Sequence, residues 1–194
     1  MEFIDNRTIK IDKELNELDK FVLEFVDVLQ KHAKYVIISG YVSILFGRSR
    51  ATEDIDIFID ELTKEGFLAL YSDLEKNGWW CVNIEGGKGT FEYLNDNVGV
   101  RFAKRGEAIP NIEIKFARKK FDKDTMNDTI SVLIGKDKMI ISTIEQQIAY
   151  KKIALGDEKD MEDAKHLEEV FKDFLDKEKL RKMEALIRSG NYDF

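Results

Sequence analysis

The chain has 194 residues, of which 43% are hydrophobic and 36% charged, and its formal net charge is −7. That length supports one domain with a sizeable core, and the acidic balance excludes a uniformly basic nucleic-acid binder while leaving room for local basic patches. The single cysteine, Cys81, excludes an intramolecular disulfide or a cysteine-rich zinc site and fits a reducing, cytoplasmic setting; MEFIDNRTIK lacks a signal-peptide pattern, and no apolar run reaches the length of a membrane span.

In chain order, residues 11–33 predict an amphipathic helix, because Leu15, Leu18, Val22, Phe25 and Leu29 recur at three- and four-residue spacing. YVIIS (35–39) reads as a short buried strand broken by Gly40, and YVSILFG (41–47) as a short helix ending at Gly47. DIDIFI (54–59) alternates strictly, with Asp54, Asp56 and Phe58 on one face and Ile55, Ile57 and Ile59 on the other. Thr63 is placed to cap a helix over 64–77. Four strands are expected next, over WWCVNI (79–84), GTFEYL (89–94), VGVRFA (98–103) and NIEIKFA (111–117). Residues 130–134 and 138–141 predict one more short strand and a helix entry. From about 142 the period is helical: Ser142 and Glu145 have capping-box spacing, 160–175 carries an apolar stripe, and 177–188 reads as a third helix. The expected organisation is a mixed α/β core over 1–135 and a helical segment over 136–194 packed on it.

The chemistry concentrates in VIISGYVSILFGRSRATEDIDIFID (36–60). Asp54 and Asp56 project from one strand face, where their mutual repulsion suits a divalent cation, either Mg²⁺ or Mn²⁺. Glu113 shares a face with Lys115 in NIEIKF and completes a three-carboxylate cluster if the two strands are neighbours; such a cluster holds two metals. A strand ending at Ser39-Gly40 before a helix offers backbone N–H groups to an anion. Arg48 and Arg50 either neutralise phosphate charge or pair with acids such as Glu53, and Thr52 ends the loop. The bland alternative for the acids is a solvated polar strand face.

These residues resemble the signature of the nucleotidyltransferase superfamily that includes DNA polymerase beta. Its pattern is an apolar residue, Gly, Gly or Ser, a spacer, and then Asp, an apolar residue and Asp or Glu. Here Ile38-Ser39-Gly40 opens the pattern, residues 41–53 are the spacer and Asp54-Ile55-Asp56 closes it, with Ser39 standing where the first glycine is usual. Arg50-Ala51-Thr52-Glu53-Asp54-Ile55-Asp56, followed by Lys151 and Lys159-Asp160-Met161-Glu162-Asp163, is similar to the minimal nucleotidyltransferases of prokaryotes, AbiEii-type toxins of toxin–antitoxin pairs among them. The resemblance implies an α+β fold with a mixed sheet flanked by helices, Mg²⁺, and a nucleoside triphosphate such as ATP as donor. With it goes a nucleotide site at Ser39, Gly40, Tyr41, Ser43, Arg50, Thr52 and Lys151, to which Lys115 is added because it shares a strand face with Glu113; the acceptor, whether a protein, tRNA or a small molecule, and the existence of an antitoxin partner stay open.

Residues 101–123 hold eight basic and three acidic side chains, a local +5 that is either a rim for triphosphate or RNA or a solvated hairpin. Lys151 either snorkels at the edge of its helix stripe or reaches the triphosphate, with Asp160 and Asp163 orienting it. The Trp79-Trp80 pair reads as core, and His32 and His166 as boundary residues. A second reading keeps the fold and the nucleotide without turnover, favoured by Ser39 and by Glu as the third acid. A third is an oligomer built through the 160–188 helices.

Overall fold

The computed structural model describes residues 1–190, 192 and 193. Among these residues the strands are β1 (Glu2–Asp5), β2 (Thr8–Ile11), β3 (Tyr35–Ile38), β4 (Asp54–Ile59), β5 (Trp79–Cys81), β6 (Val100–Lys104), β7 (Asn111–Phe116), β8 (Thr129–Ile134) and β9 (Asp137–Ser142). The helices are α1 (Glu17–Leu29), α2 (Gly40–Leu45), α3 (Lys64–Lys76), α4 (Gly87–Asn95), α5 (Lys120–Asn127), α6 (Ile144–Tyr150), α7 (Glu158–Phe171) and α8 (Lys177–Arg188), with a π-helical turn at Lys151–Leu155. All nine strands form one mixed sheet in the order β1-β2-β8-β9-β3-β4-β7-β6-β5.

The DIDIFI alternation decides the layering. Ile55, Ile57 and Ile59 are buried with Phe21, Phe25, Phe67, Leu70 and Trp79 in the main core. On the opposite face Phe58 joins Phe121 and Tyr192 in a smaller cluster that Tyr150 packs against. β4 runs between β3, antiparallel, and β7, parallel, and the β4–β7 register sets Asp56 opposite Glu113. The neighbouring strands required for those two acids to meet are therefore present.

Several expectations are corrected. The 11–33 helix begins only at Glu17: Asn16 caps it, accepting from the Asp19 N–H at 2.8 Å, while Ile11 ends a strand. GTFEYL is the helix α4 and not a strand. Its apolar positions Gly87, Thr90, Phe91 and Leu94 repeat with helical period, and a Cβ on Gly87 would lie 3.0 Å from Leu68 and Tyr71 of α3, so the two helices approach closely there. The strand expected at 98–103 begins at Val100, since Gly99 precedes it. Residues 138–141 lie within β9, a full sheet strand between β8 and β3, so the purely helical part starts at Ile144 and the sheet extends past residue 135. The Ser142–Glu145 capping box does not form: Thr143 is the cap, Ser142 accepts from the Gln147 amide, and Glu145 accepts the Asp176 N–H at 3.0 Å. The 160–175 helix runs over Glu158–Phe171, capped by Asp157. Thr63 caps α3 as expected, accepting the Gly66 N–H at 3.1 Å. No helix among the described residues is long and apolar enough to cross a membrane.

Candidate nucleotide site

A cleft of about 340 Å³ opens on the acid-bearing face of the sheet, between β3, β4 and β7 on one side and α5 and α6 on the other. Of the expected site residues, Ser39, Asp56, Glu113 and Lys115 line it. Asp54 is exposed at the start of β4, on the same strand face as Asp56, with its backbone carbonyl accepting from the Thr52 hydroxyl at 2.8 Å. Burial pushes the Asp56 carboxyl above its ordinary range, and the charges of Asp54 and Glu113 push it the same way; the Ser39 hydroxyl and Lys115 oppose them. Burial and two neighbouring carboxylates thus disfavour the ionised form of Asp56.

Ser39 adopts φ 63°, ψ −140°, a backbone region open in practice to glycine. The turn is kept with serine at the cost of strain, and its hydroxyl acts on Asp56. Gly40 leaves room for another group: a Cβ there would overlap the Arg50 guanidinium, which lies against the turn and would have to move.

Other expected ligand-facing residues point elsewhere. Tyr41 is fully buried and donates to Asp19 Oδ1 at 2.8 Å, because the first turn of α2 aims it into the core. Ser43 is likewise buried, so neither side chain reaches the cleft. Lys151, only 1% exposed, neither snorkels nor lines the cleft; its ammonium pairs with Asp160 at 2.8 Å and Asp163 at 2.9 Å. Asp163, fully buried, also takes Arg50 at 3.2 Å and Arg48 at 3.4 Å, and Arg48 pairs with Glu162. The two arginines thus pair with acids of α7 and not with Glu53. This network ties the loop before β4 to the C-terminal helices.

The basic 101–123 stretch is largely neutralised. Arg101 and Lys115 pair with Glu113, Lys104 with Glu24, Arg118 with Glu61 and Lys120 with Asp124. Trp79 is core, and Trp80 donates to the carbonyls of Lys104 and Glu107. His32 pairs with Asp73, and His166 contacts the Phe46 carbonyl. Residues that sequence reasoning missed also line the cleft, including Gln146, Gln147 and Tyr150. Their signal was two adjacent amides beside Ile144, Ile148 and Ala149 on a buried helix. Gln146 donates to Thr125, and Tyr150 stacks on Phe121 with ring centroids 4.8 Å apart.

Asp54 and Asp56 suit one Mg²⁺ or Mn²⁺, which takes one or two carboxylates and completes its shell with water and phosphate. Glu113 does not extend that set: Oε1 accepts from Lys115 at 2.7 Å and Oε2 from Arg101 at 2.9 Å. Among the described residues no three His, Cys, Asp or Glu side chains are gathered to hold a metal, which corrects the expected three-carboxylate cluster.

The fold is that of nucleotidyltransferase-like proteins, a mixed sheet flanked by helices. A solved structure of an antigenic nucleotidyltransferase-like protein from Paracoccidioides brasiliensis superposes with a TM-score of 0.50 over 88% of this chain and 87% of that one, at 15% identity. No protein-family model and no curated protein sequence matches the chain.

Proposed function

We propose that the chain is a metal-dependent nucleotidyltransferase, moving a nucleoside monophosphate from a nucleoside triphosphate to an acceptor hydroxyl and releasing pyrophosphate. The observation that carries this reading is the Asp54–Asp56 pair on one face of β4, with Asp56 in register with Glu113 and both of these lining the cleft. Asp54 and Asp56 would hold Mg²⁺ or Mn²⁺, which when bound would supply positive charge against the triphosphate. Lys115 meets the triphosphate from β7, and the Ser39 hydroxyl holds the Asp56 carboxylate. Tyr150 and the amides of Gln146 and Gln147 face the nucleoside. The acceptor oxygen attacks the α-phosphorus, the bond to the β-phosphate oxygen breaks, pyrophosphate leaves, and the hydroxyl proton passes to water. Rate enhancement comes from positioning and charge neutralisation, with no covalent enzyme intermediate.

Incubation with α-labelled triphosphates, Mg²⁺ and total tRNA or lysate protein tests this. Label transfer by the wild type, lost in Asp56→Asn, supports the reading and identifies the acceptor class. The R-x-T-x-D-I-D resemblance favours a prokaryotic toxin countered by an antitoxin; growth arrest on expression of the wild type but not of Asp56→Asn is then expected. A second reading is a nucleotide-binding module without turnover, favoured by Glu113 having both oxygens paired. It predicts retained nucleotide with no transfer to any acceptor.

A further inference from the structure

Glu113 stands where a third metal ligand is expected, yet three features hold it in another role. The first is that both of its oxygens accept charge-assisted hydrogen bonds, from Lys115 at 2.7 Å and Arg101 at 2.9 Å. The second is that the sheet builds this arrangement. Arg101 of β6 is the register partner of Glu113, and Lys115 lies two residues along β7 on the same face. The third is Gly99. A Cβ there would lie 2.5 Å from Glu113 Oε1, 2.7 Å from its Cδ and 2.8 Å from Lys115 Cε, so any larger residue at this position would push these side-chain ends out of their present places.

The geometry also shows what the trio presents to the cleft. The Glu113 side chain is 11% exposed, while Lys115 is 45% exposed and lines the cleft beside Asp56. An ammonium has three donors; one is given to Glu113, and two remain for phosphate oxygens.

Resting on the nucleotidyltransferase reading, we propose that Glu113 is a positioning residue and not a metal ligand. It holds the Lys115 ammonium in the cleft as the second positive charge on the triphosphate, and the site takes one divalent ion, on Asp54 and Asp56. The chemistry that needs two cations is thereby met by one metal and one fixed lysine. Arg101 holds the far oxygen of Glu113, so the carboxylate cannot turn away from Lys115.

Mn²⁺ titration of the full chain, followed by electron paramagnetic resonance with and without α,β-methylene-ATP, tests this. One Mn²⁺ per chain is expected. Glu113→Gln should change the Mn²⁺ Kd by less than about twofold, while Asp56→Asn weakens it by more than about tenfold. Glu113→Gln and Lys115→Met should each weaken the analogue by about tenfold, and the double variant should bind no worse than Lys115→Met, because both remove the same contact. Gly99→Ala displaces the Glu113 carboxylate while keeping every charge; it should weaken the analogue and spare Mn²⁺, and it serves if Glu113→Gln fails to fold. Two Mn²⁺ per chain, tenfold weaker Mn²⁺ in Glu113→Gln, or additive losses in the double variant would overturn the inference. Absence of Mn²⁺ binding, or Mn²⁺ binding indifferent to Asp56→Asn, would overturn the nucleotidyltransferase reading along with it.

Discussion

Asp163→Asn offers the sharpest test of what joins the two ends of this fold. Asp163 has no exposure, and its carboxylate meets Lys151 at 2.9 Å, Arg50 at 3.2 Å and Arg48 at 3.4 Å. The amide keeps the shape and removes the charge, leaving cations that are mostly out of water. Breaking a buried pair from one side costs about 3–5 kcal/mol. Lys151 retains Asp160 at 2.8 Å and Arg48 retains Glu162, which sets the expectation at the low end, about 3 kcal/mol. With a urea slope of roughly 2 kcal/mol/M, the unfolding midpoint falls by about 1.5 M. Equilibrium urea unfolding followed by circular dichroism reads this directly. A midpoint shift below about 0.3 M would mean the network behaves like a surface ion pair and does not clamp the loop before β4 to α7. Lys151→Met provides the cycle partner: the two substitutions should couple by about 1 kcal/mol or more.

Other expectations follow from single side chains. Ser39→Gly relieves a backbone strain of about 1 kcal/mol and should raise Tm by about 2–4 °C, whereas Ser39→Ala keeps the strain and gives no rise; equal Tm values for the two variants would refute strain at Ser39. Because the folded Asp56 carboxyl titrates above its unfolded value of about 3.9, the native state binds the proton more tightly, and stability falls as pH rises from the unfolded value through the folded one. Asp56→Asn removes that slope, so in thermal melts from low to neutral pH its advantage over wild type should grow with pH; a constant difference would contradict the assignment. Tyr41→Phe deprives buried Asp19 of a donor at 2.8 Å, a loss of about 2 kcal/mol and roughly 5 °C in Tm. Label transfer by the folded variant should match wild type, and a selective loss of transfer would return Tyr41 to the site.

Where the chain is regular, the sequence speaks clearly. The period-two alternation of 54–59 and 111–116 foretells both the buried isoleucines and the acid face, and Thr63 announces the start of α3. The failures have identifiable causes. Thr90, Phe91 and Tyr93 favour strands by propensity, but helical spacing and the close approach of Gly87 to α3 prevail at α4. The segments EFID and TIKI are too short and polar to stand out. They are strands because β8, more than a hundred residues later, gives β2 a parallel partner. Site residues divide in the same way. Asp56, Glu113 and Lys115 follow from strand alternation and lie on the cleft. Tyr41 and Ser43 depend on the phase of a six-residue helix, which local spacing does not fix, and they turn inward. Glu113 shows a further limit: its face was legible, but its ion partners depend on β6 and on the missing Cβ of Gly99.

The strand order also carries a consequence for how the molecule is made. β2 needs β8, and β3 needs β9, so the first hairpin and the middle of the sheet are joined only by segments from residues 129–142. During synthesis at about 5–20 residues per second, the β1–β2 hairpin has nothing to pair with on its β2 edge until that stretch emerges, several seconds after Ile9 and Ile11 do. The strands β3, β4, β7 and β6, which carry the acids, can pair without it. The acid-bearing face can therefore form in the earlier half of the sheet. The late insertion of β8 and β9 closes the rest around it, so a chain interrupted before residue 129 would keep the acidic strands but leave one edge of β3 open to pairing with a neighbouring chain.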